Sequence, residues 1–458
     1  MLRRDPTTEL VVQLNRRLFF DVTGLLQWYG YFDHPTGVQR VTERLLGSTS
    51  LRTYPHIIYV ARALGGDKFF EVDRDTILQL GDARSRHAAI ARVRSYLAQS
   101  VRLSNVREIL SEAQYFDFPY IAAGYARAEA LVEAFFLRRM PRRAQELTVA
   151  RLSNTDVLFN PGDYWCHRAY AHSVSTLKRL TGTRIFMLVH DLFGTEMPEW
   201  SHPRFGPHME QQFRAIAPSV DRWFVTSQYV RQSLDRHLCS LNLLRRKVGV
   251  LPMGEARLGE DGEMDETTRN RLLTKLGLAP GYVLHVGTIE PRKNLHTLLD
   301  ALQKLRRDFR LHVPRCVLVG REGWQSTSIV KRLKATKLEA GTVTWLRSVS
   351  DFELRALYEG ALFTVVPSLV EGWGLPIGES LAHGVPCIAT AIGGTQEAGR
   401  GVAVYFDPAK PGALQDALKY WLENPEALAK ARSAAEIARL SMPSWNSAGQ
   451  ALLEAVLE

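Results

Sequence analysis

Apolar residues in this chain gather into short unbroken runs, separated by segments in which they return every three or four positions. Short apolar runs suit strands buried on both faces, and the wider spacing suits amphipathic helices. Leu18-Phe19-Phe20-Asp21-Val22 is the first run, followed by His56–Ala61, Asp156–Asn160, Arg184–Val189, Trp223–Thr226 and Val248–Leu251. Val38, Val41, Leu45 and Leu46 keep helical spacing, so Thr36-Gly37 falls at a loop-to-helix junction. From Gly254 to Thr268 the chain turns polar, with Glu255, Glu260, Asp261, Glu263 and Asp265, and reads as a linker between domains. A second series follows: Tyr282–Val286, Cys316–Val319, Val343–Leu346, Leu362–Val366, Pro386–Thr390 and Gly401–Phe406. Strands alternating with helices predict α/β architecture with two doubly wound parallel sheets. Residues 80–148 break the alternation, are rich in Ala, Arg, Leu and Glu, and read as a helical insertion in the first domain.

Composition narrows the class. With 458 residues, 45% apolar and 23% charged, the chain has material for two or three packed domains of roughly 150 residues each. Cys166, Cys239, Cys316 and Cys387 are far apart and form no C-x-x-C pair, which argues against a disulfide framework or a zinc cluster. No apolar stretch reaches the roughly 18 residues needed to span a bilayer. The N-terminus has Arg3 and Arg4, but Asp5, Glu9 and Arg16-Arg17 interrupt any signal-like apolar segment. The expectation is a cytoplasmic protein. A net charge of +10 favours anionic partners without choosing among nucleotides, phospholipid headgroups and nucleic acid. No G-x-G-x-x-G follows a strand and no G-x-x-x-x-G-K-[ST] occurs, which counts against a simple dinucleotide enzyme and a P-loop NTPase.

The most informative stretch is Glu371-Gly372-Trp373-Gly374-Leu375-Pro376-Ile377-Gly378-Glu379. It follows the apolar run Ala361–Val366 and opens a helix closed by Gly384. Pro376 suits a first helical turn, where its missing N–H is no loss. Glu371 therefore sits at a strand tip and Glu379 about one turn into the helix. At roughly 1.5 Å per helical residue plus loop and side-chain reach, the carboxylates lie on the order of 10 Å apart. Acid/base partners on one glycosidic bond lie roughly 5 to 9.5 Å apart, so this spacing suits two ends of one long polar ligand. The glycines between them let backbone N–H groups approach such a ligand.

With Gly384-Val385-Pro386 beyond it, this segment resembles the Glu-x7-Glu signature of retaining GT-B glycosyltransferases, in particular family 4. The resemblance spans most of the chain and is strongest from Gly281 to Asp407. It implies two Rossmann-like domains facing a cleft: residues 1–255 on the acceptor side, 256–443 for the nucleotide-sugar, and a helix in 444–458 crossing back to the first domain. It gives Glu371 the hydroxyls of the donor sugar and Glu379 the ribose, with Gly372, Trp373, Gly374 and Leu375 also at the donor. Gly287-Thr288-Ile289-Glu290-Pro291-Arg292-Lys293-Asn294 resembles the family's phosphate-binding loop. Arg292 and Lys293 stand near a helix N-terminus, which already favours an anion. Where the family usually carries Arg, this chain has Thr288, so Arg292 is expected to take that role. No metal or other cofactor is expected, because these cations supply the positive charge.

Four further segments carry candidates. Val189-His190-Asp191-Leu192 ends an apolar strand and resembles the family's His-Asp-Leu loop, placing His190 and Asp191 at donor or acceptor. Thr36-Gly37-Val38-Gln39-Arg40 resembles a loop approaching diphosphate and acceptor, though Thr-Gly also makes an ordinary helix start. Gly393-Gly394-Thr395-Gln396-Glu397 resembles a loop near base or phosphates, with a purely structural turn for Gly394 and Thr395 an equal reading. Arg138, Arg139, Arg142 and Arg143 follow Phe135-Phe136, a pattern that fits docking on an anionic membrane, a nucleic-acid patch without a recognised module, or a solvated helix end. Asp73-Arg74-Asp75 has metal-binding spacing but lies in a charged segment and reads as a solvated turn.

The resemblance implies transfer of a sugar from a GDP-, UDP- or dTDP-linked donor to a glycan or lipid-linked glycan, with no nucleic-acid partner. The loop variants look most like bacterial mannosyl- or rhamnosyltransferases of O-antigen and capsule assembly. The rivals are a sucrose- or glycogen-synthase-like transferase acting on a soluble acceptor, and a non-catalytic nucleotide-sugar-binding subunit.

Overall fold

The computed structural model describes residues 16–62, 68–81, 85–100, 148–165, 169–201, 203, 205–243, 246–254, 264–309, 311–338 and 342–458. Two α/β bodies result. The first sheet contains β1 (Leu18–Asp21), β2 (Ile57–Arg62), β3 (Phe69–Val72), β4 (Val157–Asn160), β5 (Arg184–Val189), β6 (Arg222–Val225) and β7 (Lys247–Val250), in spatial order β3-β2-β1-β4-β5-β6-β7. Only β3 runs antiparallel to its neighbour. The second contains β8 (Tyr282–Val286), β9 (Cys316–Val319), β10 (Val343–Leu346), β11 (Ala361–Val366), β12 (Cys387–Thr390) and β13 (Val404–Phe406), all parallel, in order β10-β9-β8-β11-β12-β13.

The central strands β1, β4, β9 and β12 are buried at every position, as expected where helices cover both faces of a parallel sheet. That is why they show as unbroken apolar runs. Strand β3 escapes such a reading because it is a four-residue edge strand carrying Glu71 beside a charged segment. Asp73 and Asp75 are exposed, as expected of a solvated segment, and the Asp73 carboxylate also accepts from Thr76 N and Thr76 Oγ1 at 2.8 Å each and caps the Arg74–Leu80 helix. Of the predicted insertion, the helix Arg86–Ser100 is described. Residues 101–147, including the four arginines at 138, 139, 142 and 143, lie outside the described residues, as does most of the polar linker.

Sheet order decides where the ligand-facing loops meet. In each sheet the winding reverses once, between β1 and β4 and between β8 and β11. Loops leaving the C-terminal ends of strands diverge at such a reversal and leave a crevice. The loops after β8 and β11 carry Arg292, Lys293 and Glu371. The two motifs that stand 78 residues apart are thereby brought side by side.

The final helix, Trp445–Leu457, packs on the first body, where Ala448, Leu452, Ala455 and Val456 enter the same core as β1 and β2. Beyond it Glu458 accepts from Lys247 Nζ at 3.2 Å. Replacing Leu452, which is fully buried, by Ala should destabilise the first body by about 2–5 kcal/mol. Urea unfolding checks this, and a loss below about 1 kcal/mol would mean that the helix adds little to that core.

Candidate active site

The second body supplies the charged centre. After β8 the chain makes a tight turn at Pro291–Lys293, and Asn294 takes a left-handed conformation (φ 53°) before the Leu295–Asp308 helix. Leu369 N donates to Arg292 O at 2.7 Å, tying this turn to the loop after β11. Lys293 Nζ donates to Glu371 Oε1, Arg292 Nη1 reaches Glu371 Oε2 at 3.2 Å, and Arg292 Nε reaches Glu290 Oε1 at 2.6 Å. Lys293 is 6% exposed and Glu371 8%, so these are buried charges that need their partners. Burial alone would raise the Glu371 pKa, but Lys293 and Arg292 overcome it and hold the carboxyl down at about 2. Burial works against the Arg292 charge too, yet Glu290, Glu371 and Asp191 keep its pKa above the ordinary value.

Glycine shapes the next loop in two ways. Gly374 has φ 98°, a conformation side chains resist, and it starts the Leu375–Ala382 helix. Gly372 lies against the first body: a Cβ there would stand 2.1 Å from His190 O. Ser227 Oγ donates to Gly372 O at 2.7 Å, and Gln228 N and Tyr229 N donate to the Glu397 carboxylate at 2.8 and 3.0 Å. The two bodies thus meet beside Glu371. On the helix, Glu379 Oε2 accepts from Tyr358 Oη at 2.7 Å.

On the first body, His190 directly follows β5 and its Nε2 donates to Pro161 O at 2.7 Å. A carbonyl only accepts, so Nε2 carries the hydrogen. Burial pushes the ring down to about 4, leaving it neutral at physiological pH. Asp191 is raised to about 6 by burial, with Arg292 opposing. The segment seating His190 is fixed from below: Asn160 Oδ1 accepts from Gly162 N at 2.8 Å, while Asn160 Nδ2 reaches Asp21 and Asp163 at 3.3 Å each. Burial first, then the neighbouring Asp21, lifts Asp163 to about 7. Thr36 directs its hydroxyl to Gln39 rather than capping the helix it precedes, and a Cβ on Gly37 would stand 3.7 Å from Leu375 Cδ1.

All these loops enclose a cleft of about 1260 Å³, above the roughly 300–1,000 Å³ of ordinary ligand pockets. Thr36, Gly37, His190, Asp191, Thr288, Arg292, Lys293, Glu371, Gly372, Trp373, Gly374, Leu375 and Glu379 all line it. Gly394 and Thr395 do not. Gly394 N donates to Glu371 O at 3.1 Å, and Thr395, fully buried, donates to Thr390 O at 2.7 Å, so both brace the loop from beneath.

Sequence reasoning passed over several lining residues. Arg321 lies over Trp28 and Phe32 of the first body at 4.2 and 4.5 Å, and Arg347 over Trp345 at 4.4 Å. Each follows a strand end, β9 or β10, and that position was the available signal. The lining carries five basic and six acidic side chains, so the cleft is not positive as a whole. Attraction for an anion is local to particular guanidinium and ammonium groups. Among the described residues no three His, Cys, Asp or Glu side chains gather as a metal site.

Comparison with known proteins bears on the second body and on the fold. Residues 271–438 match the family described as Glycosyl transferases group 1, so the second body is a group 1 glycosyl transferase domain. The chain is 27% identical over 285 residues to the serotype-specific mannosyltransferase WbdA of Escherichia coli, covering 60% of this chain and 34% of that protein. It is 36% identical over 138 residues to the O-antigen chain mannosyltransferase B of Escherichia coli, covering 30% of this chain and 36% of that protein. The chain therefore spans about a third of the length of these curated relatives. Among solved structures, sucrose-phosphate synthase from Thermosynechococcus elongatus superposes with a TM-score of 0.60 at 16% identity, covering 96% of this chain and 98% of that one. The two-body arrangement is the GT-B fold.

Asp163 gives a pH test of the support beneath His190. Its folded pKa of about 7 lies above the ordinary carboxylate value of 3.8. Its favourable contribution is complete only below the unfolded value and is lost as pH rises through 7. Relative to Asp163→Asn, the wild type should lose about 2 kcal/mol between pH 5 and 8, at roughly 1.4 kcal/mol per pH unit while the group titrates. Parallel denaturation curves at the two pH values would contradict the assignment.

Proposed function

We propose that this chain is a retaining hexosyltransferase. It moves a sugar, mannose or a rhamnose-like hexose, from a nucleoside-diphosphate donor to a hydroxyl of a growing cell-surface glycan. The observation that carries this reading is the buried contact of Glu371 with Lys293 and Arg292 at the sheet reversal, with Glu379 one helical turn beyond. The mannosyltransferase relatives support the choice of sugar and acceptor class.

The chemistry follows from charge. When the bond from C1 of the sugar to the diphosphate breaks, negative charge builds on the phosphate oxygens. Lys293 and Arg292 offset it, an effect that grows toward the transition state and so accelerates the step. The donor's sugar hydroxyls donate to Glu371, replacing the contacts that its carboxylate loses as the cations turn to phosphate. The ribose is held by Glu379. A departing phosphate oxygen takes the acceptor's proton on the face it leaves, so the new bond forms there and configuration is retained. No protein base is required, which suits a neutral His190 whose proton is committed to a backbone carbonyl. His190 then serves as a hydrogen-bonding wall for sugar or acceptor, with Asp191 beside it. No metal takes part in this scheme, because Arg292 and Lys293 supply the charge.

The acceptor is proposed to be a glycan or a lipid-linked glycan. Among the described residues no helix is long and apolar enough to cross a membrane. A peripheral approach to an anionic membrane surface, using the arginines at 138, 139, 142 and 143, remains part of the proposal.

Donor-dependent transfer should be measured with GDP-, UDP- and dTDP-sugars on wild type, Lys293→Ala and Glu371→Gln. Removing one preorganised charge-stabilising group costs roughly 100- to 1000-fold in rate, so both variants should fall by that order while thermal stability shows them folded. Product NMR should show the donor's anomeric configuration. Turnover preserved in Lys293→Ala, or an inverted product, would overturn the scheme.

A further inference from the structure

Resting on the reading of Glu379 as the ribose contact, we propose that Arg40 of the first body and Glu379 of the second form a two-sided clamp on the ribose diol. The donor would then be a ribonucleotide sugar rather than a deoxyribonucleotide one.

Arg40 lies in the first turn of the Gly37–Gly47 helix, the edge of the first body that faces the cleft. Its guanidinium crosses to the second body, where Nη2 donates to Asp351 Oδ1 at 2.8 Å. Asp351 is itself held by Arg86, whose Nη1 and Nη2 reach Oδ2 at 3.3 Å each. Arg86 in turn lies 3.7 Å from Glu43, which accepts from Tyr29 Oη. The plane of the Arg40 guanidinium is therefore set by a chain of buried groups, and its other arm points at Glu379.

That arm stops short. Arg40 Nη1 stands 3.8 Å from Glu379 Oε1, an ion-pair distance but longer than a hydrogen bond. The other carboxylate oxygen, Oε2, is occupied by Tyr358 Oη. Oε1 is thus the oxygen presented to a ligand, opposite a guanidinium that only donates. A hydroxyl suits both sides at once, because it donates one hydrogen to the carboxylate and accepts one from the guanidinium. Two vicinal hydroxyls can share the pair, since Nη1 carries two hydrogens and Oε1 two lone pairs while Nη2 and Oε2 stay with Asp351 and Tyr358. Both Arg40 and Glu379 line the cleft, and Lys293 and Arg292 lie in the same cleft for the diphosphate. Because the clamp's halves come from different bodies, it is complete only when the bodies are closed on each other. A 2′-deoxyribose leaves one side of the clamp without its partner, and an unpaired buried charge is costly.

The experiment is calorimetric binding of GDP against 2′-deoxy-GDP and of UDP against 2′-deoxy-UDP, taking whichever base binds the wild type more tightly. Wild type should prefer the ribonucleotide by about tenfold or more, the order expected for a hydrogen bond to a charged group. Arg40→Gln should weaken ribonucleotide binding and bring that ratio close to one. Arg40→Lys keeps a cation for Asp351 but lacks the second planar N–H pair, and should lose the preference as well, which guards against simple misfolding. Asp351→Asn removes the anchor while leaving both halves of the clamp, so some preference should survive. Equal weakening of both nucleotides in Arg40→Gln would make Arg40 a tie between the bodies and overturn the clamp. Absence of any preference in wild type would overturn it too. Glu379→Gln separates the two readings: unchanged nucleotide binding there removes the ribose role of Glu379 itself. Failure of wild type to bind either nucleotide would overturn both together.

Discussion

A carboxylate shared between two cations at the floor of the cleft is the interaction on which the rest depends. Bringing Glu371, Lys293 and Arg292 out of water costs several kcal/mol per ion unless each is compensated. Here every charge has a partner, and Glu290 balances the second arm of Arg292. The group is electrically neutral and therefore stable when no ligand is bound. In the proposed mechanism this group is exchanged: a diphosphate would offer the cations more charge than one carboxylate does, and a sugar would offer the carboxylate hydroxyl donors.

The fold makes this possible by topology rather than by proximity along the chain. Reversal of winding between β8 and β11 opens the crevice, and the hydrogen bond from Leu369 N to Arg292 O closes its lower rim. The opposing wall belongs to the first body, where Asn160 ties the β1 and β4 tips together and seats His190. Contacts through Gly372, Ser227 and Glu397 join the walls on one side of the cleft, and Arg40 with Asp351 joins them on another. Gly372 and Arg40, which line the cleft, therefore also set the relative position of the bodies. The final helix adds a covalent return from the second body to the core of the first.

Much of this is legible in the residues alone, for a definite reason. Strands of a doubly covered parallel sheet are apolar throughout, so twelve of the thirteen strands among the described residues coincide with apolar runs. The exception, β3, is short, lies at an edge and carries Glu71. The segment from Glu371 to Glu379 is equally visible, because glycine, proline and charge fall at spacings that only a strand-loop-helix junction explains. What local patterning does not carry is pairing over distance. Arg40 meets Asp351 across 311 positions, and nothing near either residue announces it. The network of Asp21, Asn160 and Asp163 looks from the sequence like polar residues at strand ends. Gly394 and Thr395 resemble cleft residues by motif, yet they serve as a brace under the loop that does line the cleft.

The most direct test of the central claim is a crystal structure of the chain with an intact nucleotide-sugar, compared with the ligand-free protein. The expected result is that Lys293 Nζ and Arg292 leave Glu371 for the diphosphate oxygens while Glu371 accepts hydrogen bonds from the sugar hydroxyls. A bound donor whose phosphates lie elsewhere, with the contact between Lys293 and Glu371 unbroken, would contradict the account.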